Sequence, residues 1–81
     1  MTTQITTQID SFKKLNSKEI LEAMQEGALL KKTYSVYSYW TLLLPNGKKH
    51  YNFRKGSVES ITNLCQTIER SKEGYTLKLL K

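Results

Sequence analysis

Eighty-one residues limit residues 1–81 to a single domain with a thin core, since a chain of this size hides only about 60% of its unfolded surface. Thirteen Lys and Arg against seven Asp and Glu leave a net charge of +6, which points to an anionic partner: nucleic acid first, with a membrane surface a distant second. One Cys and one His exclude an internal disulfide and a metal set. With no apolar run long enough to span a bilayer, the expectation is a reducing, cytoplasmic location without cofactor or membrane partner.

The charge is unevenly placed. Residues 1–30 carry three Lys against four acids, residues 31–81 ten basic against three acidic residues, and no carboxylate occurs between Ala28 and Val58. Residues 1–10 repeat TTQI in tandem, and their β-branched content allows an edge strand from Gln4 to Ile9 or a frayed terminus. A helix is expected from Ser17 to Glu26. Asn16 is its N-cap, Glu19 completes a capping box, Leu15 and Ile20 are spaced as a hydrophobic staple, and Gly27 ends it. Ile20, Leu21, Met24 and Ala28 form its apolar stripe.

The run KKTYSVYSYWTLLLPNGKKHYNFRK, residues 31–55, reads as one long β-hairpin. Its arms are Thr33 to Leu44 and Lys49 to Arg54, joined across Pro45, Asn46 and Gly47. A three-residue loop sets Leu44 opposite Lys48 and sends Trp40 and Leu42 to the side of His50, Asn52 and Arg54, where Trp40 becomes the leading binding residue. A loop of two or four residues sets Leu44 opposite Lys49 and gathers Val36, Trp40, Leu42, Leu44, Tyr51 and Phe53 on one apolar face. This even loop is preferred for its coherent core face; it leaves Tyr37, Tyr39 and Thr41 outside with His50, Asn52 and Arg54. Beyond the hairpin, Val58, Ile61, Leu64, Cys65 and Ile68 recur at helical spacing, so a core helix with Ser57 as N-cap is expected from Val58 to Ser71. Tyr75 to Leu80 alternates as a strand.

The order (β)αββαβ implies a small α+β domain. It is either a ferredoxin-like split βαβ fold or a three-stranded antiparallel sheet, with two helices on one face and the other face open for binding. In element order the chain resembles an RNA recognition motif, whose open sheet stacks bases on aromatic rings. The arm KKHYNFRK lacks that family's glycine and aromatic spacing, so the likeness is architectural and carries no residues over. NSKEILEAMQEG and KGSVESITNL resemble the helix starts of HicA-type toxins, small basic αβ ribonucleases, and imply His50 as a catalytic residue. In that family the His follows a Gly-Ser pair on a strand; here Lys48 and Lys49 separate Gly47 from His50 and no Ser adjoins.

The residues themselves assemble no catalytic constellation, and an activity other than binding rests on that resemblance alone. The function expected is nucleic-acid binding, DNA or RNA. Lys31, Lys32, Lys48, Lys49, Arg54 and Lys55 neutralise phosphates while Tyr37, Tyr39 and His50 stack on bases or sugars. The alternative is a protein-interaction or inhibitor module in which the same tyrosine-rich surface meets an acidic protein partner. A homodimer would also support so thin a core.

Overall fold

The computed structural model describes residues 9–10 and 12–80. The expected edge strand over Gln4–Ile9 lies outside the described residues apart from Ile9, which packs against the core. One α-helix, α1 (Ser17–Gln25), precedes β1 (Leu29–Tyr34), β2 (Ser38–Leu43) and β3 (Lys49–His50). A 3-10 helix (Glu59–Leu64) then leads into β4 (Cys65–Ser71) and β5 (Gly74–Leu79). All neighbouring strands are antiparallel in one sheet of order β3-β2-β1-β5-β4. The expected α+β class with an antiparallel sheet holds. The two expected topologies give way, among the described residues, to five strands and a single α-helix.

Helix α1 forms for the reasons its sequence carries. The Asn16 side chain accepts from the Glu19 amide at 2.8 Å, and the Glu19 carboxylate accepts from the Asn16 amide at 3.0 Å, so two otherwise orphaned donors are satisfied reciprocally. Lys13 pairs with the same carboxylate. That pairing, followed by the Asn16 amide, holds the Glu19 carboxyl below its ordinary value. Leu15, Ile20, Ala23, Met24 and Ala28 are buried, which makes Met24 a packing residue as its spacing implies. No helix among the described residues is long and apolar enough to cross a membrane.

The long first arm of the expected hairpin is two strands. The chain turns at Ser35–Tyr37, bringing Tyr34 opposite Ser38 and Leu29 opposite Leu43. Val36, expected on the apolar face, sits at this tip with 91% of its surface exposed. The next turn overturns the even loop. Leu42 pairs with His50 and Leu43 with Lys49, and the Leu44 amide donates to the Lys48 carbonyl at 2.9 Å, so three residues close the loop. Gly47 donates back to the Leu44 carbonyl with φ +90°, a positive value that glycine adopts without a Cβ penalty. Pro45 then holds position i+1 of a type I turn, and Gly47 supplies the bulge that three-residue hairpins use.

The expected helix from Val58 to Ser71 is a second correction. Val58 and Ile61 are buried as its first turns require, but the helix stays 3-10 and stops at Leu64. Ser57 does not cap it through its side chain; the cap position is Val58. The Ser60 hydroxyl donates to the Ser57 carbonyl and the Thr62 hydroxyl to the Glu59 carbonyl, local bonds that compete with a regular α-helical ladder. From Cys65 the chain becomes an edge strand against β5, with a bulge between Thr67 and Glu69 and a turn through Lys72 and Glu73. Ile68, expected in the core, is 49% exposed. The turn ends at Gly74, where a Cβ would overlap the Lys32 carbonyl of β1, so this position admits glycine alone.

Directly paired residues share a sheet face. Leu30, Leu42, His50 and Leu77 are therefore on the side that receives α1 and the 3-10 helix, where their burial with Ile20, Met24, Val58 and Ile61 forms the core. Lys31, Tyr39, Lys49, Gln66 and Lys78 are exposed on the reverse face.

Candidate functional site

The hollow that gathers four of the expected binding residues is created where β3 ends. β2 has six residues but β3 pairs with only Leu42 and Leu43. After His50 the chain leaves the sheet edge and joins the segment before α1. The Leu15 amide donates to the Asn52 carbonyl at 3.2 Å, and the Arg54 amide donates to the Leu15 carbonyl at 2.9 Å. Among the described residues, the β2 edge over residues 38–41 gains no strand on that side. A groove of about 550 Å³ opens there, lined by Tyr37, Tyr39, Trp40, Tyr51 and Phe53 with Arg54, Lys55 and Glu59. Tyr39 and Tyr51 meet at 6.4 Å and 51°, a tilted contact that leaves ring surface exposed on both.

Four of the nine expected site residues, Tyr37, Tyr39, Arg54 and Lys55, therefore come together. Tyr37 is the most exposed of the tyrosines in this groove, at 77%. The remainder are dispersed. Lys31 and Lys49 lie on the reverse face and Lys48 in the exposed turn, where its amide donates to Asn46 Oδ1 at 3.0 Å. Lys32 is on the helix side with its Nζ 4.9 Å from the centre of the Trp40 ring.

His50 leaves the site altogether. It is 2% exposed on the core side of the sheet, with Nε2 2.7 Å from the Lys13 carbonyl and 2.9 Å from that of Asn52. Both partners are acceptors, so Nε2 carries the hydrogen and ties the segment before α1 to the strand that follows β3. A side chain enclosed in this way contacts Phe53 edge-on and has no surface from which to stack on a base or act on a substrate. The reason is register: the three-residue loop turns His50 to the same face as Leu42.

Trp40 takes neither position that the two registers assigned. It is half-buried, edge-on to Tyr75 at 5.8 Å and 88°, and its indole N–H is buried without a hydrogen-bond partner in this structure. Trp40 and Glu59 also form part of a second hollow, about 710 Å³, on the helix side of the sheet, with Lys32, Tyr34, Arg70 and Tyr75. Tyr34 and Tyr75 meet at 6.2 Å and 55°, and the Arg70 guanidinium lies 5.9 Å from the centre of the Tyr75 ring. Burial raises the Tyr75 hydroxyl above its ordinary value, with Tyr34 adding to the effect. Tyr51, Phe53, Arg70 and Tyr75 are members that sequence reasoning did not place in a site. Arg70 and Tyr75 had no signal, because their approach depends on the β4–β5 pairing, whereas Tyr51 and Phe53 were visible as aromatics but assigned to the core. Cys65 lines this hollow too, and burial pushes its thiol up, away from a reactive thiolate. Among the described residues there is no group of three His, Cys, Asp or Glu that could hold a metal ion.

A scan against protein-family models, a search of curated proteins and a search of solved structures each returned no significant match.

Proposed function

We propose that this protein is a nucleic-acid-binding domain and that the groove beside β2 is where it binds. The observation that carries this reading is the convergence of Tyr37, Tyr39, Tyr51 and Phe53 with Arg54 and Lys55 along a strand edge that β3 leaves unpaired. Aromatic faces offer stacking surfaces to bases of any sequence, and cations beside them neutralise the phosphates that join those bases. The absence of carboxylates from Ala28 to Val58 keeps the potential around the groove positive, with Glu59 its nearest exception in the sequence. Lys31, Lys48 and Lys49 add long-range attraction from other sides of the hairpin.

Fluorescence-polarisation titrations with DNA and RNA oligonucleotides, from low to physiological salt, test the reading. Arg54 and Lys55 alone would give a log-log salt slope of about −1.4 with a single strand, at roughly 0.7 per phosphate contact. Absence of binding at low salt to every oligonucleotide would end this reading.

An acidic protein partner on the same surface is the second reading. Val36 at 91% exposure beside Tyr37 favours it, because an exposed aliphatic tip has no role in phosphate contact and is suited to a protein interface. Co-purified protein that resists removal by nuclease and is released by salt would advance it.

A further inference from the structure

We infer, resting on the nucleic-acid reading, that the groove beside β2 and the hollow on the helix side form one track and that its occupant is a single strand. The two spaces share Trp40 and Glu59 as a common wall. Each carries two cations: Arg54 and Lys55 in the first, and in the second Arg70 together with Lys32, which lies over the Trp40 ring of the wall itself. A strand passing Trp40 meets aromatic surface on both sides and positive charge in both hollows. Lys32 and Arg70 lie over the Trp40 and Tyr75 rings, so a base that displaces either cation from its ring leaves that cation within reach of the base's own phosphate.

The ring geometry selects the single strand. The three aromatic contacts along this path, Tyr39 with Tyr51, Trp40 with Tyr75, and Tyr34 with Tyr75, are tilted or edge-on. None is a face-to-face stack that would consume both rings. A duplex keeps its base faces stacked on one another and presents phosphates to rings set in a groove, whereas an unpaired strand presents the base faces themselves. Glu59 at the shared wall repels phosphate and so pushes the backbone towards the cations on either side.

The single tryptophan makes the junction observable. The experiment titrates the intact protein with oligothymidylate and oligouridylate of about 12 residues, and with a duplex of the same length, while following Trp40 emission and the salt dependence of affinity. Expected results are a change in Trp40 emission, a slope near −3 for the four cations together, and much weaker binding of the duplex. Arg54→Ala and Arg70→Ala, both exposed and each checked by thermal melt, should each weaken binding several-fold and reduce the slope by about 0.7. Glu59→Gln should tighten it. Dependence on only one of the two arginines would break the track into separate hollows and overturn this inference while leaving the nucleic-acid reading standing. Equal affinity for the duplex would overturn the choice of a single strand. Failure of every oligonucleotide to bind would remove both. The two homopolymers separate DNA from RNA as the source of the strand.

Discussion

The core side of the sheet has two halves built from the same strands. Leu30, Leu42, His50 and Leu77 lie under α1 and the 3-10 helix and are sealed from water. Two residues further along the strands, on the same face, Lys32, Trp40 and Tyr75 line an open hollow. Alternation along a strand cannot distinguish these halves, because it reports only which face a side chain occupies. The difference comes from coverage: α1 has nine residues and the 3-10 helix six, too little helix to cover five strands. The uncovered half then carries large rings whose apolar bodies pack on one another and whose edges remain available to a ligand.

Deleting a side chain from each half gives the largest expected contrast. Leu42→Ala should cost about 2–5 kcal/mol, comparable with the whole stability margin of a domain this small, and should abolish or greatly lower the cooperative thermal transition. Trp40→Ala removes more atoms from a half-buried position and should cost less in stability, while weakening single-strand binding by about 1–3 kcal/mol. A larger stability loss at Trp40 than at Leu42 would show that the second half is sealed too.

His50 provides the next test, since it belongs to the covered half by burial and was expected in the site by sequence. His50→Phe keeps a ring beside Phe53 but removes the imidazole donor from the Lys13 and Asn52 carbonyls, the second of which keeps the Leu15 amide. The expected cost is about 1–3 kcal/mol in chemical denaturation, with oligonucleotide affinity of the folded protein unchanged. A loss of affinity without a loss of stability would return His50 to the binding surface.

A smaller effect is expected from Trp40→Phe. It removes an indole N–H that is buried without an acceptor, which offsets the lost packing, so stability measured by denaturant midpoint should stay within about 1 kcal/mol of the parent. The smallest effect concerns the cover itself. The Glu19 carboxyl is held below its ordinary value by Lys13 and the Asn16 amide, so its contribution is complete above the unfolded-state value near 4.5 and is lost as pH falls through the lower folded-state value. The melting temperature of the parent should therefore fall slightly more than that of Glu19→Gln between about pH 6 and about pH 3. Parallel curves would remove this carboxylate from the account of how α1 is held over the sheet.

The sequence by itself determined the elements whose signals are local. Asn16 and Glu19 are three residues apart in a capping box that needs no distant partner, and the β-branched and aromatic content of residues 38–43 makes strand, although the turn at Ser35–Tyr37 that divides the expected arm was not read from it. Tyr37, Tyr39, Arg54 and Lys55, which share the groove beside β2, were singled out by residue type and an acid-free neighbourhood, which are properties of the chain alone. Only the tertiary structure decided the rest. Two or three loop residues at Pro45–Gly47 differ little in local chemistry, yet the choice turns His50 inward with Leu42. Residues 65–71 satisfy a helical spacing as well as a strand, and pairing along the edge of β5 selects the strand. Arg70 reaches Tyr75, and the second hollow gains its charge, only once that pairing has formed.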